Sequence, residues 1–567
     1  MRFEHARRLT GPSPLMPGPG AAVEHVFEAG DDAGALAARW DELLDRALAA
    51  AGIAEVRRFR RDYPGGASLG IDGPIDRLYA EVDLLEWISE VMSGQATLTE
   101  DQAIARFREA AAIESNPCLL ALQAAARAHG VAFLWDENEA SLGLGPTART
   151  WPVRELPAPD AIAALDFAAF GRIPVALVTG TNGKTTTTRM ATRILKHAGH
   201  VVGTTSTDAI TVDEVVVESG DWTGPGAARK VLRRNDVTAA VLETARGGIL
   251  RRGLALDQVD AAIVTNVAED HFGDWGVYSL DAMADAKALV WQAVRPGGTR
   301  IVPADDPVLL AHARPTPDAW TLVAMNADAP AIAAFRAAGG KAWFVRDGAI
   351  VRAEGPRQTA VVPVADVPVT FGGHALHNLQ NAIAAAALTH ALGASDAAIR
   401  SGLASFGLKP SDNPGRAQLH EVDGVRVLLD FSHNPHGVRA MRATLGWLVE
   451  QVPGSRLSIA LGQAGDRSDG DLAALAHEIA ACRPDLVFLR PLPGYERGRA
   501  LGETAAILHR DMLAEGLPPD AVRDALDEVD SLEQALAWAR PGDLVVHFVH
   551  IEREAVAERL ARAARKP

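Results

Sequence analysis

Apolar residues recur at three- and four-residue intervals through "DDAGALAARWDELLDRALAAAG" and "IDRLYAEVDLLEWISEVM", the spacing that gives a helix one buried face. Residues 1–165 are therefore expected to be mainly helical after a Pro/Gly-rich start, with "RTWPVRELPAPDA" as a proline-marked connector. The pattern changes at Val175. "VALVT", "TAAVLET", "AAIVTNV" and "RIVPA" are short apolar runs separated by helical stretches, the rhythm of a parallel sheet covered by helices. "KAWFVRDGAIVRAEG" and "TAVVPVADVPVTFGG" predict short antiparallel strands with turns at Asp347–Gly348 and Glu354–Gly355, forming an insertion or flap on the sheet domain. Beyond "PSDNPGRAQLH", residues 410–420, "VRVLLDFSHNP", "RLSIALGQAGD", "DLVFLRP" and "DLVVHFVH" predict a second α/β unit. At 567 residues the chain exceeds what one core can hold. The boundaries read from it are 1–165 for an N-terminal substrate or assembly domain, 166–412 for a central nucleotide domain and 413–567 for a C-terminal domain.

Composition narrows the class. With 72 acidic against 56 basic side chains the net charge is −16, which argues against a nucleic-acid partner. The two cysteines, Cys118 and Cys482, stand far apart without CxxC or histidine spacing, so neither a disulfide framework nor a zinc site is indicated. "MRFEHARRLTGPSPLMPGPG" lacks the apolar core of a secretory signal, and no apolar run is long enough to span a membrane. The expectation is a cytoplasmic protein with no membrane partner.

One stretch carries chemistry on its own. In "VTGTNGKTTTT" a strand ends near Thr179, Gly180, Thr181, Asn182 and Gly183 turn the chain, and Lys184 opens a helix. Backbone N–H groups at a helix start have no partner within the helix and meet phosphate with the positive end of the dipole. Lys184 supplies charge to the terminal phosphates, Thr185 a hydroxyl for Mg²⁺, and Thr186 lies beside it. Ordinary Walker spacing would require glycine where Val178 stands, so the loop is a shorter variant. A nucleoside triphosphate, ATP, is the predicted ligand.

Other strand ends add candidates. "VLETARGGILRRG" places Glu243 just past one strand, and "VTNVAEDHFGDWG" places Asn266, Asp270 and His271 past another; in an open α/β sheet these ends form the ligand crevice. A carboxylate and a histidine there are candidates for a second Mg²⁺. Taken together, "GTNGKTT", "ETARGG", "TNVAEDH", "DAKALV", "HNLQNAIAAA", "NPGR", "DFSHNP" and "ARPGDLVV" resemble the Mur ligase family over roughly residues 170–550. Within that family, "TTSTDAI", "SGDWTGP", "LETARGGILRRGL" and "ADVPVTFGG" are most similar to the Mur-ligase half of the cyanophycin synthetases.

The resemblance implies a three-domain fold: a helix-rich α+β N-terminal domain, a central P-loop parallel-sheet ATPase domain and a Rossmann-like α/β C-terminal domain. It implies an ADP-forming ligase that activates a carboxylate as an acyl phosphate and joins it to an amino-acid amine. Lys184 and Thr185 would bind phosphates and metal, Glu243 and His271 the second of two Mg²⁺, and Asn381 the adenine. Arg416 and Asp430 would close on ATP from the C-terminal domain, with His433 and Asn434 beside the reacting centre. Lys287 matches a lysine that is carbamylated in many relatives, although an ordinary amine is an equal reading. Cyanophycin synthetases carry an ATP-grasp module that the segment before the P-loop is too short to hold, so the chain resembles a stand-alone relative. The implied substrates are an amino acid, plausibly a basic one, and a carboxylate-bearing peptide or polymer. Asp466, Arg467, Asp469, Glu496, Arg497 and Arg499 are candidate selectors or simply solvated charges. A γ-glutamyl or folate-type acceptor, a homo-oligomer, and a non-catalytic ATP-binding partner of a separate ATP-grasp synthetase remain alternatives.

Overall fold

The computed structural model describes residues 1–270 and 272–563. Its centre is an 11-stranded sheet. In spatial order the strands are 215–219, 209–212, 202–205, 239–243, 175–179, 259–264, 294–303, 320–324, 341–346, 349–354 and 357–363. The middle run, from Val202–Thr205 across to Lys341–Arg346, is parallel throughout, and the strands at either end are antiparallel. The apolar runs in the sequence are thus central strands buried on both faces, which is why they do not alternate. The strand Val175–Thr179 is buried at every position.

Residues 341–363, expected as antiparallel strands in an insertion or flap, do form antiparallel pairs but continue this sheet: Lys341–Arg346 pairs in parallel with Trp320–Ala324 and carries the next two strands antiparallel beyond it. The apolar face of the segment, Trp343, Ile350, Val361 and Val362, is buried with the central core, which holds it in the sheet plane. Asp347 and Gly348, both at positive φ, make the first turn as expected. Glu354 pairs with Arg357, so the second turn is centred on Gly355–Pro356, one residue later than the pattern suggested.

The helix Lys184–His197 packs under the sheet against the alanine-rich helix Leu376–Ala391 and the helix Asp396–Ser405. A Cβ on Gly402 would lie 2.6 Å from the Cα of Ile194, so the two backbones touch there. The C-terminal sheet runs 418–422, 425–430, 544–548, 457–462, 486–490, 522–524, parallel except for its opening hairpin.

The N-terminal segment is less helical than expected. Helices Ala33–Ala51, Leu78–Ser93 and Glu100–Glu114 form there, but they cover an antiparallel four-stranded sheet ordered 2–9, 20–26, 66–72, 58–63. The charged strand "RFEHARRL" hides its pattern because Arg7 is buried: it pairs with Glu24 at 2.6 Å and donates to the carbonyl of Leu250 in the central domain. Among the described residues no helix is long and apolar enough to cross a membrane.

Candidate functional site

The phosphate loop is built by its neighbours. Gly180 has φ 149, and a Cβ there would lie 1.9 Å from Thr265 Oγ1; Gly183 has φ 83, and its Cβ would lie 2.2 Å from Asn381 Oδ1. Only glycine fits either place. The adjacent strand end holds the loop: Thr181 N–H donates to the Asn266 carbonyl (3.0 Å) and Asn182 N–H to Asn266 Oδ1 (2.9 Å). Asn266 Nδ2 and Thr265 Oγ1 donate to the Asn182 carbonyl at 3.0 and 2.7 Å. Lys184 opens the helix and its Nζ donates to the carbonyls of Gly180 and Thr181, at 3.1 and 3.0 Å. Thr185 and Thr186 line, with the loop, a cavity of about 410 Å³.

Glu243, Asp270 and Lys287 enter this cavity from the central domain. Glu243 is 2% exposed and accepts from the Thr207 hydroxyl at 2.8 Å and the Thr207 N–H at 3.4 Å. Lys287 is buried; desolvation, with Lys184 and Arg246 nearby, pushes its ammonium well below the usual range, and Asp270 opposes this. His271 lies outside the described residues.

The C-terminal domain supplies the opposite wall. Asp430 ends a strand and accepts from Ser432 N–H and Oγ at 2.7 and 2.6 Å and from Ala417 N–H at 2.8 Å, so one carboxylate joins the "DFSHNP" turn to "PGR". The Arg416 guanidinium lies 4.7 Å above the Phe431 ring and 3.5 Å from Asp208. His433 is half-buried, and desolvation lowers its pKa to about 4; its Nδ1 lies 3.1 Å from the Phe431 carbonyl. Asn434 and Asn182 exchange two amide hydrogen bonds of 3.2 Å, and His436 Nδ1 lies 2.8 Å from Asn182 Nδ2. The phosphate loop is therefore bonded directly to the C-terminal domain.

Asn381 donates to Asn378 Oδ1, accepts from Thr187 Oγ1, and lines both the main cavity and a second one of about 280 Å³. The second is walled by Val267, Pro307, Val308 and Val323, with Asp305 and Asp306 at its edge. Of the charged residues at 466–499, Arg467 reaches the centre: it pairs with Asp270 at 2.6 Å and lines a small pocket with His433. Asp466 pairs with Arg497 and Asp469 with Arg499, while Glu496 accepts from the Gly494 N–H.

Several site residues escaped sequence reasoning. Thr207 orients Glu243, and Arg246 lines the cavity three positions further on. Asp208 gathers Arg189, Arg416 and Arg553, at 2.8, 3.5 and 2.8 Å, from three separate segments. No local pattern announces such a convergence; the structure places Thr207 and Asp208 just after the strand Val202–Thr205, and the resemblance of "TTSTDAI" was the available signal.

These features define a class: a P-loop α/β protein whose phosphate cradle is closed by a second, Rossmann-like domain. The Mur ligase middle domain model matches residues 178–389, and the Mur ligase, glutamate ligase domain model matches 415–548, more than half of the chain between them. The chain belongs to the Mur ligase family. The cyanophycin synthetase of Synechocystis sp. (strain ATCC 27184 / PCC 6803 / Kazusa) is 39% identical over 377 residues, covering 66% of this chain and 42% of that protein. The chain thus matches less than half the length of that relative. The UDP-N-acetylmuramoyl-L-alanyl-D-glutamate--2,6-diaminopimelate ligase of Corynebacterium efficiens is 29% identical, over 65% of this chain and 67% of that one. Among solved structures, E. coli FolC in complex with DHPP and ADP shares the fold, with a TM-score of 0.51 at 22% identity over 69% of this chain and 89% of that chain.

Proposed function

We propose that this chain is an ATP-dependent, ADP-forming ligase that activates a carboxylate as an acyl phosphate and joins it to the amine of an amino acid. The observation that carries the reading is the single cavity in which Lys184, Thr185 and Glu243 of the central domain face Arg416, Asp430 and His433 of the C-terminal domain. The likeness to cyanophycin synthetases supports a basic amino acid as the amine and side-chain carboxylates of a peptide or polymer as acceptor.

The residues divide the work. The phosphates lie on the loop 180–186, with Lys184 swinging from its own carbonyls to the terminal phosphate. The base occupies the second cavity beside Asn381, between apolar walls. Arg416 and Asp430 approach the nucleotide from the C-terminal side. A carboxylate oxygen attacks the γ-phosphorus and ADP leaves; the amine nitrogen then attacks the acyl carbon and phosphate leaves. His433 keeps its Nδ1 proton on the Phe431 carbonyl, which leaves Nε2 an acceptor for the proton the amine sheds. The interdomain bonds of Asn182 with Asn434 and of Asp270 with Arg467 hold the walls together and keep water from the acyl phosphate.

The donor set fits Mg²⁺. Thr185 and Glu243 offer oxygen ligands, and among the described residues no group of three acidic, histidine or cysteine side chains forms a cage, as suits a hard cation that keeps phosphate and water ligands. Thr185 would hold one ion, and Glu243 with His271 the second. Bound there, Mg²⁺ neutralises phosphate charge that would otherwise repel the attacking carboxylate. Lys287, whose charged form is disfavoured by burial and by the neighbouring Lys184 and Arg246, is chemically suited to carbamylation.

The test is phosphate release from ATP and Mg²⁺ across a matrix of amino acids and short Asp- or Glu-containing peptides, with mass spectrometry of the products. Release that requires both a carboxylate and an amine, with a product heavier by one residue, is expected; its absence with every pair would leave an ATP-binding subunit. Lys184→Ala should abolish turnover without loss of fold, as checked by circular dichroism, because the side chain packs in a loop rather than a core.

A further inference from the structure

We propose that Arg246 is the residue that binds the acceptor carboxylate, and that the N-terminal sheet sets its position through the segment Asp274–Tyr278. The inference rests on the ligase reading above and gives a role to residues 1–177, to which neither family model extends.

Arg246 follows the strand that ends in Glu243 and opens the short helix Arg246–Arg252. Its side chain is 10% exposed, lines the main cavity with Lys184 and Glu243, and is held by Asp274 at 3.1 Å. Gly247, beside it on the cavity wall, would place a Cβ with nothing within 4 Å. The main chain thus leaves an open slot next to a guanidinium, on the cavity wall formed by the end of the central sheet. A planar guanidinium presents parallel N–H donors that match a carboxylate. Arg246 and Arg416 are the arginines among the described residues lining this cavity; Arg416 stacks on Phe431, and Arg246, on the sheet-end wall beside the open slot, would share its guanidinium between Asp274 and the incoming carboxylate.

Asp274 is not held by its own domain alone. The next residue, Trp275, is kinked into left-handed geometry at φ 55. Its ring lies 4.6 Å from the Arg7 guanidinium and 5.1 Å from the His5 ring, and its carbonyl accepts from Arg61. A Cβ on Gly276 would meet the Tyr63 ring at 2.2 Å, and Tyr63 in turn faces Tyr278 at 6.0 Å. Strands 2–9 and 58–63 therefore grip the residues that follow Asp274. A left-handed tryptophan persists only where the surroundings enforce it; here the N-terminal sheet holds its ring and carbonyl while the ring also packs against the central core.

The experiment is calorimetric binding of hexa-aspartate to the full chain in the presence of AMPPNP and Mg²⁺, with AMPPNP binding measured separately. Arg246→Gln should weaken hexa-aspartate by about tenfold or more, the loss expected when a charged hydrogen-bonding partner is removed, with AMPPNP affinity kept; Arg246→Lys should fall between. Arg61→Met should weaken hexa-aspartate alone, and should add little in the Arg246→Gln background, which a merely stabilising arginine would not do. Equal hexa-aspartate affinity in Arg246→Gln, parallel loss of AMPPNP, or full additivity of Arg61→Met overturns the proposal. AMPPNP binding without any hexa-aspartate binding by the wild type also overturns it while leaving the nucleotide site intact, whereas failure to bind AMPPNP would strike the ligase reading itself.

Discussion

At the scale of single residues the site depends on atoms that are absent as much as on those present. Gly183 and Gly199 share a left-handed backbone, at φ 83 and 92, but a Cβ on Gly183 would strike Asn381 whereas one on Gly199 meets nothing. Gly199→Ala should therefore cost only strain, about 1 kcal/mol, and leave AMPPNP affinity unchanged. Gly183→Ala should displace the loop and weaken AMPPNP by more than about tenfold; equal affinities in the two variants would contradict the geometry. Glu243→Gln keeps the shape and the Thr207 contact but removes the charge, so half-maximal turnover should require more Mg²⁺, as a metal titration would show. Lys184 and Glu243 stand out as candidates in the sequence because each lies just past an apolar run, and Asp430 through the resemblance of "DFSHNP". Thr207 and Arg246 do not, because their roles are set by what lies across the cavity.

At the scale of elements, the two α/β domains are joined by polar contacts from segments distant in sequence. Asp208 is held well down, at about 2, by Arg416, Arg189 and Arg553 despite its burial. Asp208→Ala would leave three guanidinium groups crowded together; the cluster is half-buried, so the cost should fall below the ~3–5 kcal/mol typical of a fully buried pair. The expected outcome is detachment of the C-terminal domain, seen as a larger radius of gyration in solution scattering and faster amide exchange in the helix Arg553–Ala563. An unchanged profile would show that the arginines do not bind the domains together. The central parallel strands were readable from their unbroken apolar runs, but the N-terminal strands were not. "RFEHARRL" looks like surface until Arg7 meets Glu24 and Leu250, 17 and 243 residues away.

At the scale of the whole molecule, desolvated histidines set a pH limit. Desolvation lowers His433 to about 4 and His547 to about 3, and pushes His377 and His550 down as well. Each binds a proton in the unfolded chain below about pH 6.5 but stays neutral in the native one. The unfolded state then holds more protons, so stability rises with pH across that window and falls as the pH drops from about 6.5 toward 4. His433 and His547 each contribute on the order of 2 kcal/mol by about pH 5, and His377 and His550 act in the same direction. Thermal midpoints should drop clearly between about pH 7.5 and about pH 5, and a flat profile would place these side chains in contact with water.

The sequence by itself determined the parallel sheets, the phosphate loop at a strand end and the family, because periodicity, glycine geometry and strand-end chemistry are local properties. Tertiary structure alone decided that residues 341–363 extend the central sheet and that an antiparallel N-terminal sheet grips Trp275. It also decided which of many charged side chains share one cavity. The last two depend on partners far apart in sequence, where burial turns an ordinary surface charge into a paired one, and the first on which neighbouring edge a strand adds to; no single stretch of sequence records either choice.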